Sequence, residues 1–177
     1  MSNTIDVLCI IDATTLAAIV ASGAISPGSA KNPTRLGSLT KSDVFVSMLT
    51  QGSYITNDRG GSELTITCDV GDNIRWTITN LGEGVNYSSI LYLFSSTAIG
   101  TSVSHPICLP LNVNLYINSA NPNTSAPMPI AYTSSAWQTT ALAASSRVQY
   151  SWAFQLIDQS GTVLGYFKWD PFVIINI

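Results

Sequence analysis

Apolar and polar residues alternate along much of the chain, and this pattern predicts short β-strands separated by turns. Residues 64–68 and 74–78 each carry apolar side chains at every second position, with Thr, Asp or Arg between them. The Gly-Asp corner between these runs predicts a hairpin of two half-buried antiparallel strands. Continuous apolar runs at 4–11 and 89–94 have the length of buried strands, and 147–158 alternates again.

One helix interrupts the strand pattern. Asp12 precedes the run A-T-T-L-A-A-I-V-A, and its carboxylate can accept hydrogen bonds from the first unpaired backbone N–H groups of a helix. Gly23 follows the run, where a residue with positive φ commonly ends a helix. The sequence therefore predicts a short N-terminal helix.

Turn residues divide the remaining strands. Polar loops rich in Ser, Asn, Pro and Gly are predicted at 24–42 and 118–129, and Pro106 and Pro110 restrict the start of segment 105–117 to a sheet edge or a loop. About nine strands with one short helix indicate an all-β fold, an antiparallel two-sheet β-sandwich of Greek-key or jelly-roll type. Residues 1–177 are interpreted as a single domain.

The composition favours association between copies. Only 10% of the residues are charged, against about 25% in typical domains, and the formal net charge is −3. Ser, Thr and Asn together supply 53 of the 177 residues. Such a neutral polar surface gives little charge repulsion, which is what normally keeps copies apart. An ordinary monomeric sandwich with a Ser/Thr-rich exterior remains the alternative.

The distribution of charged residues and of cysteines limits the classes of partner and the cellular compartment that the sequence predicts. Seven scattered basic residues do not form a phosphate-binding face, and the longest apolar stretch, 16–25, is too short to span a bilayer. The first basic residue is Lys31, and Asp6 and Asp12 interrupt what would be the apolar region of a signal peptide. Three cysteines without C-x-x-C spacing predict free thiols and a cytoplasmic protein, with release by another route left open.

No catalytic arrangement emerges from the residue types. The stretch V-G-D-N-I-R-W resembles the strand pairs of copper-binding sandwiches, but a blue-copper site needs two His and a Cys, and His105 is the single histidine. The stretch is therefore read as architecture, with Trp76, Trp152 and Trp169 as core residues. Zinc ligand spacing and a G-x-S-x-G nucleophile motif are also absent, so a non-enzymatic protein without a cofactor is predicted.

Calcium is the one metal that the sequence leaves open. Several aspartates are predicted at strand ends or turns, where carboxylate oxygens from loops can ligate this hard cation. The same positions suit Asp in turns, because its side chain bonds to the local backbone. No metal ligand is assigned, and the residues concerned are Asp12, Asp58, Asp69, Asp72, Asp158 and Asp170.

Five segments carry a resemblance to a known family. They are I-D-V-L-C-I-I-D at 5–12, K-N-P-T at 31–34, G-G-S-E-L-T-I-T-C-D-V-G-D-N-I-R-W at 60–76, S-S-I-L-Y-L-F at 88–94 and Y-S-W-A-F-Q-L-I-D-Q-S-G-T-V-L-G-Y-F-K-W-D-P-F at 150–172. In this order they resemble the AidA/PixA inclusion-body proteins of bacteria. The resemblance implies a soluble protein made in quantity, often under quorum-sensing or stationary-phase control, and in some members deposited as cytoplasmic inclusions. This chain has only three methionines, unlike the methionine-rich members of the family, which weakens the case for a role in sulfur storage.

Two functional hypotheses follow. The first is a non-enzymatic, self-associating β-sandwich that forms dimers or larger homo-oligomers through a strand edge or sheet face. The second is a lectin-like carbohydrate-binding module, calcium-dependent or not, whose sandwich loops present amide, carboxylate and aromatic groups. The candidate binding residues for this second hypothesis are Asp58, Arg59, Asn121, Asn123 and Trp137.

Overall fold

The structure is a computed structural model that describes residues 2–82, 85–118 and 126–177. The helix α1 spans Ala13–Ala21, and short 3-10 turns lie at Leu39–Lys41 and Gly52–Tyr54. The strands in chain order are β1 (Thr4–Ile11), β2 (Thr34–Arg35), β3 (Val46–Thr50), β4 (Ile55–Asn57), β5 (Thr65–Asp69), β6 (Asn73–Asn80), β7 (Tyr87–Ser95), β8 (Ile107–Ile117), β9 (Met128–Thr140), β10 (Ser145–Gln149), β11 (Ser151–Asp158), β12 (Val163–Trp169) and β13 (Phe172–Asn176).

These strands form three sheets, with orders β3-β1-β6-β9-β8, β2-β12-β11-β7 and β10-β13-β5-β4. The predicted sandwich-like, all-β class with one short helix is confirmed. The strands are more numerous than the predicted nine, and three of the pairings are parallel: β1 with β6, β12 with β2, and β13 with β5. Period-two alternation reports which face of a strand is buried, but it does not report which neighbour the strand pairs with.

The predicted helix and its cap are present. Asp12 accepts a hydrogen bond from the backbone N–H of Thr15 at 3.0 Å through Oδ1, which satisfies one of the unpaired donors of the first turn. Leu16 is fully buried and joins the main core. Among the described residues no helix has the length and apolar character needed to cross a bilayer.

The Gly-Asp corner does not close a hairpin. The strand before it, β5, pairs with β13 and β4, whereas the strand after it, β6, pairs with β1 and β9. Gly71 lies in the left-handed region at φ 95°, which suits the sharp change of direction. Both strands bury their apolar side, so the corner carries the chain from one sheet to another while both sets of side chains reach the same core.

An aromatic cluster joins two of the sheets. The ring of Trp76 on β6 lies 5.4 Å from that of Trp152 on β11 and 5.6 Å from that of Phe94 on β7. The indole N–H of Trp76 donates to the Tyr150 hydroxyl at 3.1 Å, so the polar end of each of these two rings is satisfied inside the core. Trp76, Trp152 and Trp169 are all essentially inaccessible to solvent, as predicted for core residues.

Replacing the central indole tests this account of the core. Trp76→Ala removes a fully buried ring and one buried hydrogen bond, so we expect it to lower the free energy of unfolding by about 3–5 kcal/mol. The matched control Leu81→Ala, at a side chain 62% exposed, is expected to change stability by less than about 0.5 kcal/mol. Urea unfolding followed by tryptophan fluorescence measures both, and equal effects of the two variants would contradict the assignment.

Candidate functional site

A polar cleft lies where four segments of the chain meet. Its cavity measures about 600 Å³. The segments are β2, the end of β7, the junction between β10 and β11, and the Asp-Pro corner after β12. The residues that line it are Arg35, Ser95, Ser96, Thr97, Gln149, Tyr150, Ser151 and Asp170.

The carboxylate of Asp170 organises this cleft. Its Oδ2 accepts hydrogen bonds from Arg35 Nη2 and from Gln149 Nε2, each at 2.6 Å. The Asp170 side chain is only 9% exposed, whereas that of Arg35 is 55% exposed. Asp170 Oδ1 is buried and receives no hydrogen bond from a described residue, so this carboxylate is only half satisfied.

The groups around the cleft suit hydrogen bonding to a neutral polar ligand. Arg35 neutralises the Asp170 carboxylate, and the hydroxyls of Ser95, Ser96, Thr97 and Ser151 line the cavity. Hydroxyls both donate and accept hydrogen bonds, as polyhydroxylated ligands require. Tyr150 is buried in the core, and this burial raises the pKa of its phenol. It therefore lines the cleft without ionising.

The five candidate loop residues of the sequence analysis occupy separate places. Asp58 and Arg59 lie in the turn after β4, where Asp58 adopts φ 57° and its Oδ2 accepts a hydrogen bond from the Glu63 backbone N–H at 3.1 Å. Trp137 lies on β9, faces the core and donates from its indole N–H to the Leu91 carbonyl at 3.1 Å. Asn121 and Asn123 lie outside the described residues, so the complete set stays a prediction.

Two of the turn aspartates bond to nearby backbone, which is the alternative to calcium that the sequence predicted, although one bond of Asp72 reaches a distant segment. Asp72 accepts hydrogen bonds from the backbone N–H groups of Asn3 and Asp69. Asp158 accepts from the hydroxyl of Ser160 and from the backbone N–H of Thr162, and these bonds lower the pKa of its carboxyl. Within residues 2–82, 85–118 and 126–177, no three His, Cys, Asp or Glu side chains group as metal ligands do.

The three thiols differ in access. Cys9 is fully buried, and burial raises its pKa far above the ordinary value. Burial also raises the pKa of Cys68 to about 12, with the nearby carboxylates of Asp72 and Asp69 adding to the effect. Cys108 on β8 is exposed. Since the thiolate is the reactive form, the two buried cysteines are inert packing residues.

A long two-stranded ribbon, here called the arm, extends from the five-stranded sheet. The arm consists of β8 and β9, which pair over the whole length of β8. On its other side β9 pairs with β6 only between Trp137 and Thr140, so β9 from Met128 to Ala136 has β8 as its one strand neighbour among the described residues. Isolated two-stranded ribbons are marginal in water without a further strand or a packed face.

One face of the arm is largely aliphatic. Every odd-numbered residue of β8 is Ile, Leu or Val, and the register places Met128, Ile130 and Tyr132 of β9 beside them. Opposed residues of an antiparallel pair share a face, so these side chains form one surface. Leu115, Met128, Ile130 and Tyr132 are each about half exposed, at 48%, 50%, 46% and 49%. This aliphatic face comprises Ile107, Leu109, Leu111, Val113, Leu115, Ile117, Met128, Ile130 and Tyr132.

The arm also carries no ionic charge. Residues 84–146 contain no Asp, Glu, Lys or Arg, and β8 and β9 lie within this segment. Natural edge strands are usually protected by charged side chains, especially Lys. In the sequence, the alternation in I-C-L-P-L-N-V-N-L-Y-I and the absence of charge over 84–146 are the features that indicate this aliphatic face. The Arg35–Asp170 pair had no local signal, because its partners lie 135 positions apart in sequence.

Neutralising the organising carboxylate tests the cleft. Asp170→Asn removes the charge that holds Arg35 and places an amide group against Gln149, so we expect a loss of about 1–3 kcal/mol in the free energy of unfolding. Asp6→Asn is the matched control, because Asp6 also pairs with an arginine at 2.6 Å but is 49% exposed, and we expect a loss below about 1 kcal/mol. Equal losses in urea unfolding would show that Asp170 does not organise the cleft.

Comparisons with known proteins agree with this architecture. The family model of PixA, described as inclusion body protein, matches residues 3–175. The crystal structure of an inclusion body protein (PixA) from Burkholderia cenocepacia J2315 superposes with a TM-score of 0.76 at 19% sequence identity, over 98% of this chain and 96% of that chain. The solution structure of amebosin aligns over 71% of this chain and 93% of that chain at 12% identity, with a TM-score of 0.27, too low to indicate a common fold. A comparison with curated proteins finds no match. The family match over nearly the whole length, joined to the shared fold, means that this chain belongs to the PixA inclusion body protein family.

Proposed function

We propose that this protein is a non-enzymatic, self-associating protein of the inclusion-body type. It accumulates in the cytoplasm, and its production follows quorum sensing or stationary phase, as the AidA/PixA resemblance implies. The observation that carries the proposal is the arm, whose aliphatic face is half exposed and free of charge. Membership of an inclusion body protein family supports the same conclusion.

Contact between two arms would bury apolar side chains without bringing like charges together. Fully burying a Leu, Ile or Met side chain contributes about 1.5–3 kcal/mol, and several such side chains of the arm are about half exposed. Contiguous exposed apolar patches mark interaction sites in soluble proteins. Because residues 84–146 have no ionic charge, two arms approach each other without like-charge repulsion.

A pair of neighbouring substitutions tests self-association through this face. Ile130→Lys places a charge on the aliphatic face, whereas Ala131→Lys places the same charge on the opposite face of the same strand; both positions are exposed. Burying an unpaired ammonium is costly, so we expect Ile130→Lys to weaken self-association at least about tenfold. Ala131→Lys is expected to leave it near the wild-type level.

Sedimentation velocity over a range of protein concentrations measures this difference, with near-ultraviolet circular dichroism as the check that both variants fold. Equal weakening by the two variants would point to net charge rather than to the aliphatic face. A wild-type protein that stays monomeric at every concentration would overturn the proposed function.

A second candidate function is lectin-like binding of a neutral carbohydrate. The observation in its favour is the cleft of about 600 Å³, in which four hydroxyl side chains surround the paired Arg35 and Asp170. Its location differs from the loop residues Asp58, Arg59, Asn121, Asn123 and Trp137 that the sequence suggested. The two locations make different predictions for the same ligand.

A substitution that blocks the mouth of the cleft distinguishes the two candidate locations for the carbohydrate site. Thr97→Trp fills the cavity from an exposed loop position, and Thr101→Trp adds the same ring further along that loop, outside the cavity lining. If a glycan array identifies a ligand, we expect Thr97→Trp to abolish binding and Thr101→Trp to retain it. Loss of binding on Arg59→Met or on addition of chelator, with Thr97→Trp unaffected, would instead favour the loop set and calcium.

A further inference from the structure

Backbone groups along the outer edge of β8 have no partner within the described part of the chain. β8 ends the five-stranded sheet, and among the described residues no backbone hydrogen bond reaches its side away from β9. The edge is 11 residues long and has no charged side chain. Proline is one of the devices that discourage pairing at an edge, and Pro110 removes one donor here, but the other ten residues of β8 keep their N–H groups.

The odd-numbered positions of this edge read nearly the same in both directions, whereas the even-numbered pairs Cys108–Tyr116 and Pro110–Asn114 do not. Around Asn112 as centre, Ile107 mirrors Ile117, Leu109 mirrors Leu115, and Leu111 mirrors Val113. An antiparallel pair of identical strands related by a two-fold axis joins each residue to its mirror position. The aliphatic positions of the strand therefore face similar aliphatic positions in a second copy along the whole of β8, with one bond missing where Pro110 opposes Asn114.

We propose that β8 pairs antiparallel with β8 of a second copy of this chain, about a two-fold axis that passes midway between the two Asn112 residues. This contact rests on the proposed self-association and specifies where it occurs. It turns two marginal ribbons into one four-stranded sheet with order β9-β8-β8-β9. The unpaired edge groups of both copies then bond to each other.

The faces of the two copies agree with this register. When Asn112 stands opposite its own copy, odd-numbered positions pair with odd-numbered positions. The aliphatic rows of both copies then lie on the same side of the joined sheet. A shift by one residue would place the aliphatic row of one copy beside the polar row of the other. The register through Asn112 also pairs every residue of β8, which no other register does.

Side-chain chemistry at the axis favours a second copy as the occupant. The two Asn112 side chains face each other across the axis, and an amide both donates and accepts hydrogen bonds. Asn112 Oδ1 accepts from the Thr133 hydroxyl at 3.4 Å and keeps a second lone pair, and its amide N–H groups make no bond to a described residue. A partner strand with Lys or Glu would find no opposite charge on the arm.

Disulfide trapping tests the register. In a Cys108→Ser background, which removes the exposed native thiol, Asn112→Cys puts two thiols opposite each other at a Cα separation of about 4.5–5.5 Å. A disulfide spans this distance. The matched control Asn114→Cys is exposed on the same face, but its two copies are offset by four residues, about 13 Å along the strands.

Mild oxidation of the associated protein, followed by non-reducing electrophoresis, gives the result. We expect Asn112→Cys to form covalent dimer at least tenfold faster than Asn114→Cys, and the Cys108→Ser parent to form none. Equal or faster trapping of Asn114→Cys overturns the register. No trapping of either variant in protein that still associates by sedimentation overturns the β8 contact alone. Wild-type protein that never associates overturns the proposed function as well.

Discussion

The aromatic packing around Trp76 and Trp152 is the interaction on which the other features depend. It joins β6 of one sheet to β7 and β11 of another, and Trp137 at the base of β9 extends it with a ring contact of 5.6 Å to Trp152. The Trp137 indole N–H also bonds to the Leu91 carbonyl. The base of the arm is therefore fixed to the core, which sets the direction in which the rest of the arm leaves the sheet.

Beyond that anchor the arm exposes apolar side chains and carries no ionic charge. The part of β9 that precedes Trp137 does not pair with β6, and there the ribbon lacks a third strand within the described part of the chain. The charged residues of the protein lie outside residues 84–146, and two pairs of them form ion pairs, Asp6 with Arg75 and Asp170 with Arg35. Low charge was visible in the composition, and β8 and β9 lie within the segment 84–146, which has no Asp, Glu, Lys or Arg.

Local patterns predicted local features well. The cap at Asp12 and the burial of Trp76, Trp152 and Trp169 depend on residues close in sequence, so periodicity and capping chemistry were sufficient. Strand partnership was not predictable in this way. The alternating runs at 64–68 and 74–78 resembled a hairpin, but each found a parallel partner elsewhere, β13 for β5 and β1 for β6. The Arg35–Asp170 cleft likewise needs distant segments, and no pattern within a window of the sequence brings them together.

Hydrogen exchange across β8 as a function of protein concentration tests the central claim most directly. If a second copy covers the edge, the amides of Ile107–Ile117 that point away from β9 exchange slowly in concentrated protein and quickly after dilution. The amides of β11, which is paired on both sides within the chain, serve as the internal reference and stay unchanged. Exchange in β8 that is equally fast at every concentration would contradict the account.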